Sequence, residues 1–242
     1  MISERPWRAE AVLLLGSGLL IVLSMSVFAS ALMKGKDAPP DFAGFVVSTV
    51  VAQVFAVGLI HFFLRAHQMS WRDLLGLRRP RLLSVMFYAV GLALVAMLVT
   101  WGINYLIIKV ITMVYKPPEQ QMAVQVLENA TRPAERAVFA LAAIVLAPFV
   151  EEILFRGILY PLVKQRGYPR LALWGTSLLF AAVHIHAATF VPLFVFGLIL
   201  AWIYERTDTL LAPILTHSIF NTINFVLFIN QDKVSNWFDK AQ

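Results

Sequence analysis

The 242-residue chain contains no cysteine, which excludes disulfide staples, a thiolate nucleophile, cysteine-ligated zinc and prenylation of the chain itself. Charge is scarce as well: 14% of residues are Asp, Glu, Lys or Arg, against about a quarter in an ordinary soluble domain. No HExxH zinc signature occurs. Nor is there a Ser-His-Asp constellation at useful spacing, an internal repeat, a low-complexity tract or a soluble domain. What fills the space is apolar: 60% of residues are hydrophobic and the mean hydropathy is +0.75. The expected fold class is therefore all-α, a polytopic transmembrane helical bundle. The net charge of +6 comes mostly from Arg and Lys at segment ends, so it records membrane orientation and the lipid bilayer as partner, with no nucleic acid expected.

Taking about 20 residues to cross a hydrocarbon core, about seven spans (six to eight) are read, near 11–33, 42–64, 82–108, 136–163, 171–186, 190–204 and 210–230. The fifth and sixth are short, fitting tilted or partly re-entrant segments. The first run also fits a secretory signal, with Arg5 and Arg8 before it and Phe28-Ala29-Ser30-Ala31 as a small-residue cleavage site, but it is longer than a signal core of about 7 to 15 residues. The loop after span two holds Arg65, Arg72, Arg78, Arg79 and Arg81, the densest basic cluster. It belongs in the cytoplasm by the positive-inside rule, and alternation puts the N-terminus there too. Lys164, Arg166, Arg170 and Arg206 add to that side; Lys34, Lys36, Lys116, Arg132, Arg136, Lys233 and Lys240 fall on the other. The expectation is an integral protein of the plasma (inner) membrane. Three regions are predicted: membrane spans with interfacial loops over 1–133, a helical core over 134–231 and a short polar tail over 232–242.

Two connections have character of their own. Met69–Arg81 mixes Trp and Leu with Arg, as in a segment at the lipid headgroups or a plain cytoplasmic loop. Glu119–Asn129 follows Pro117-Pro118 and puts Met122, Val126 and Leu127 near one helical face, predicting a short amphipathic helix on the outer surface.

The fourth span carries Glu151-Glu152-Ile153-Leu154-Phe155-Arg156. Charges at a bilayer centre cost roughly 2.5 to 3.5 kcal/mol each on insertion scales and usually face a bundle interior or wet cavity. Residues four apart share a helical face, so Arg156 pairs with Glu152, while Glu151, rotated by about 100 degrees, points at something else. Pro148 upstream bends the helix and opens room beside Glu151. A buried structural pair without chemistry is the plainer alternative.

Span five supplies Phe180 and His184, four apart. From the turn at Gly167-Tyr168-Pro169, Glu151 lies 17 residues back (168 − 151) and His184 16 on (184 − 168), which matches their depths at about 20 Å in an antiparallel hairpin. Span seven adds His217 and Asn221, one turn apart. Buried imidazole and carboxamide groups need partners, so they are expected in the same polar cavity, although His217 counts only about 13 Å in from the turn near Asp208.

EExxxR at Glu151, Glu152 and Arg156, FxxxH at Phe180 and His184, and HxxxN at His217 and Asn221, in this order on successive segments, resemble the CPBP family of intramembrane glutamic proteases, which includes type II CAAX prenyl endopeptidases and bacteriocin-processing or immunity-type proteins. The similarity runs over about Arg136–Asn230, with Asp73-Leu74-Leu75-Gly76-Leu77 consistent with it. The resemblance implies Glu151 as catalytic base, His184 helping to hold and activate a water, and His217 and Asn221 stabilising the oxyanion. Glu152, Arg156 and Phe180 would support them. It also implies a membrane-anchored or lipidated peptide substrate and no cofactor. A zinc site of Glu151, His184 and His217, a non-catalytic immunity or binding role and proton-coupled transport are the alternatives.

Overall fold

The structure is a computed structural model, and it describes residues 7–33, 42–77, 82–114, 120–231 and 233. Arg5, Lys34, Lys36, Arg78, Arg79, Arg81, Lys116, Pro117, Pro118, Lys240 and all of the 232–242 tail except 233 lie outside the described residues.

Among the described residues every regular element is helical. In chain order they are α1 (Ala9–Met33), α2 (42–66), α3 (Trp71–Leu75), α4 (Leu82–Val114), α5 (Met122–Asn129), α6 (Pro133–Lys164), α7 (Pro169–Ala182), α8 (Ala187–Thr207) and α9 (Leu211–Ile229). Six of them, α1, α2, α4, α6, α8 and α9, are long and apolar enough to cross a membrane. The segment read as span five is the 14-residue α7, about 21 Å long at 1.5 Å per residue and shorter than a hydrocarbon core of about 30 Å. It ends early because the chain turns over 183–186 with Ile185 at φ 48°, which places His184 in that turn instead of on the helix.

α6 runs through the middle of the bundle, against α2, α7 and α9, while α7 packs on α8, and α8 and α9 pack on α4. Ala89, Ala93, Ala96 and Thr100 form a buried stripe of small residues along α4, which lets neighbouring helices approach closely. The opposite faces carry Leu83, Phe87 and Leu98, more than 70% exposed, as a lipid-facing surface does.

One end of the bundle is closed by short, capped pieces. α3 starts at Ser70, whose Oγ accepts from the Asp73 N–H at 3.2 Å, and ends at Gly76 with φ 71°, a left-handed cap that glycine adopts without strain. Its Leu74 is fully buried, so Met69–Leu77 is tucked into the bundle. The α8–α9 turn rests on it: Thr209 Oγ1 donates to the Leu75 carbonyl at 2.7 Å. Trp7 pins the chain before α1 to α6. Its Nε1 donates to the Gly157 carbonyl at 3.0 Å, whose partner in an α-helix would be the absent N–H of Pro161, and its backbone exchanges two hydrogen bonds with the Gln165 amide. At the other end α5 forms as expected, with Val126 and Leu127 buried.

Candidate active site

α6 is not a uniform α-helix. Residues Leu141–Leu146 and Ile153–Leu159 are π-helical, with each N–H reaching five residues back, a register often found at functional sites. The first stretch explains how Asn221 is held. The Ala147 N–H goes to the Ala142 carbonyl and Pro148 has no N–H to offer, so the Ala143 carbonyl is left without a helical partner. Asn221 Nδ2 donates to it at 2.8 Å, tying α9 to α6 and leaving the second amide hydrogen and Oδ1 uncommitted by that bond.

The second stretch carries the charges. Arg156 Nη1 pairs with Glu152 Oε1 at 2.9 Å, both side chains essentially unexposed. A second guanidinium nitrogen, Nη2, donates to the Gly197 carbonyl at 2.8 Å, and the cation lies 4.7 Å from the Phe180 ring centroid and 5.8 Å from that of Phe155. Desolvating a cation costs several kcal/mol; one ion pair, one carbonyl and two ring faces offset it. Phe180 therefore acts as a platform for Arg156. Gly197 is needed at the α7–α8 crossing because a Cβ there would sit 3.1 to 3.2 Å from the Ser177 Cβ, Cα and O. Gly197→Ala is expected to destabilise the protein by about 1–3 kcal/mol, read as a lower melting temperature in detergent. Gly91→Ala on α4, with nothing within 4 Å of its Cβ, is the control that does not melt earlier.

Glu152 has a second partner that spacing did not reveal. His217 Nδ1 donates to Glu152 Oε1 at 2.9 Å, which fixes the ring so that Nε2 faces Glu151 Oε2 at 4.0 Å. The ring is wedged edge-on between Phe180 and Phe196. The buried Glu151 Oε2 has no hydrogen-bond partner. His184 Nδ1 donates to the Phe180 carbonyl at 2.7 Å, since a carbonyl only accepts, so in the neutral ring Nε2 carries the lone pair. His186 turns instead to Thr189 Oγ1 at 3.1 Å.

Glu151, His184, His217 and Asn221 all line one cavity of about 520 Å³ inside the bundle, between α4, α5, α6, α8 and α9. Glu152, Arg156 and Phe180 stand behind its wall. Among the described residues no three His, Asp or Glu are placed to hold a metal ion. The cavity is also lined by Thr100, Trp101 and Asn104 of α4 and by Asn224 of α9, which carry no motif. The signal was present: an Asn inside the apolar α4 is the same anomaly that pointed to Asn221.

Compared with known proteins, residues 133–223 match the family model described as Rce1-like, type II CAAX prenyl endopeptidase, and that stretch spans α6, α7, α8 and most of α9. Searches of curated proteins and of solved structures return no match. The matched residues contain EExxxR, FxxxH and HxxxN in the expected order, and over 133–223 the chain is similar to the Rce1-like family of type II CAAX prenyl endopeptidases.

Proposed function

We propose that the cavity hydrolyses a peptide bond with a water held by Glu151 and His184, without a metal. The observation that carries this is the unpartnered Glu151 Oε2 on a cavity wall shared with His184, His217 and Asn221. Two acceptors, the Glu151 carboxylate and His184 Nε2, suit the two hydrogens of one water. Glu151 takes a proton as the water oxygen adds to the substrate carbonyl carbon and the C=O pair moves onto oxygen. Protonated on Nε2, His217 donates to that oxyanion together with the second Asn221 amide hydrogen; each such donor in a dry site is worth about 3 kcal/mol. In that state Glu151, Glu152, Arg156 and His217 would total −1 −1 +1 +1 = 0 until Glu151 is protonated. When the C–N bond breaks, Glu151 returns its proton to the leaving amine. Ring tethering by Glu152 supports this division of labour.

The substrate we infer is a membrane-anchored peptide, with a lipidated CAAX-type C-terminus the first to test, since Phe139, Leu193, Phe196, Phe220 and Phe225 give the cavity an apolar lining that suits a tail. Purified protein in liposomes should cleave a prenylated peptide faster than its unprenylated form; equal rates would remove the lipid from the reading, and no cleavage of any membrane-anchored peptide would remove the peptidase. Activity should also survive EDTA, phenanthroline and metal-free repurification. Loss restored by one equivalent of zinc would move the assignment to a metallopeptidase built on Glu151, His184 and His217. A cytoplasmic N-terminus in the plasma membrane completes the proposal, and a tag at residue 1 that impermeant protease removes from intact cells would reverse it.

A further inference from the structure

The α4 helix lies outside the matched family segment, yet it forms one wall of the cavity. Its inward stripe of Ala89, Ala93, Ala96 and Thr100 continues one turn further to Asn104, where small residues give way to a carboxamide. A polar residue on such a stripe ordinarily bonds a neighbouring helix. Trp101 does this, donating through Nε1 to Asn224 Oδ1 at 3.0 Å, while the Asn224 amide donates to the Phe220 carbonyl at 2.8 Å and Thr100 Oγ1 to Met97 O at 3.3 Å. Asn104 is the exception: it lines the cavity, and its buried Oδ1 has no hydrogen-bond partner.

The geometry points to Asn104 as a subsite for the substrate's main chain, resting on the peptidase reading above. A peptide drawn into an apolar cavity brings N–H and C=O groups that water no longer satisfies. A carboxamide matches them, Oδ1 accepting from a peptide N–H and Nδ2 donating to a peptide carbonyl. The Trp101–Asn224 bond ties α4 to α9 at this level, so Asn104 is presented to the cavity from a helix held against the one that bears His217. The subsite contacts substrate away from the scissile carbonyl and governs binding.

Asn104→Leu, close in shape and without the polar atoms, is predicted to raise KM about tenfold, the loss of one well-formed hydrogen bond, with the change in kcat/KM carried by KM. Affinity of a fluorescent peptide for the Glu151→Gln protein should fall by the same factor, which tests the subsite even if cleavage is never seen. Among peptides N-methylated at successive bonds, one should bind wild type about tenfold more weakly and lose nothing further on Asn104→Leu. Thr112→Val, on the same helix with a hydroxyl bonded only to the carbonyls of Ile108 and Lys109, should leave KM and affinity unchanged. Unchanged peptide affinity in Asn104→Leu, with or without a lower melting temperature, overturns the proposal and makes Asn104 structural. An affinity loss that is equal for every N-methylated peptide overturns the main-chain contact.

Discussion

Glu151→Gln is expected to lower cleavage by about three orders of magnitude, within the 10²–10⁴ range of a lost general base, in a protein that stays folded. The substitution is nearly isosteric, and the atom it changes makes no hydrogen bond within the protein: Glu151 Oε2 has no hydrogen-bond partner, and His217 Nε2 stands 4.0 Å away. Folding therefore loses little, whereas the site loses the group that accepts the proton. Turnover at constant substrate, beside a melting curve in the same detergent, separates the two effects. A folded Glu151→Gln protein with near-normal turnover would take the base away from this residue, and a folded but dead Glu152→Gln protein beside it would hand the role to its neighbour.

That distinction between adjacent glutamates was partly legible in the sequence. Spacing of four gave the Glu152–Arg156 pair, which survives even though the helix there is π-helical, because the pair is closed by the long arginine side chain and not by helix register alone. Spacing could not give the His217–Glu152 bond, a contact between residues 65 positions apart, nor the Asn221 tether, which depends on the local coincidence of a π turn with Pro148. The residue count from Asp208 leaves His217 short of Glu151 for a physical reason. Counting from Asp208 assumes that the turn sits at the membrane surface, but Asp208, Thr209 and Leu210 are themselves buried and Leu75 on α3 bonds to the turn. The turn is packed within the protein, so a count that starts at a surface does not apply to it, and His217 Nε2 comes to 4.0 Å from Glu151. His184 lines the same cavity as Glu151, but from the turn after a helix that ends at Ala182; the apolar run carries through the turn, and hydropathy alone does not mark where a chain reverses inside a bundle. Asn104 lies on a helix that carries none of the three motifs, so motif spacing gives no sign of it.

The same end of the bundle also bears on how the site is kept rigid. Arg156 is fully buried and is held from both sides, by Glu152 on its own helix and by Gly197 on α8. One residue further along, Gly157 receives Trp7 through its carbonyl, and a Cβ on it would sit 3.0 Å from Leu210 Cδ1. Three segments distant in sequence thus converge on two residues of α6, directly behind the wall that carries Glu151. Positioning of that kind matters because misplacement by about 1 Å can cost 10²-fold in rate.

Glu152→Gln and Arg156→Gln should therefore not share a phenotype, although they break the same ion pair. Either change leaves one charge of a buried pair uncompensated, and each should cost about 3–5 kcal/mol of stability by analogy with soluble cores, visible as a lower melting temperature. The double substitution should cost less than the sum of the singles, since the second change removes the charge that the first stranded. Activity divides them. Arg156→Gln leaves Glu152 Oε1 in place to accept from His217 Nδ1, so turnover per folded molecule should fall only modestly. Glu152→Gln replaces that carboxylate with an amide, which can accept from the ring only through its oxygen and no longer balances a proton on Nε2; turnover per folded molecule should drop by about 10²-fold or more, as for other groups that orient a histidine or stabilise its charged form. The measurement is kcat at a temperature where both variants are folded, with the folded fraction taken from the melting curve. Equal kcat in the two variants would mean that the His217 tether carries no weight in the reaction, and Glu152 would revert to a purely structural partner of Arg156.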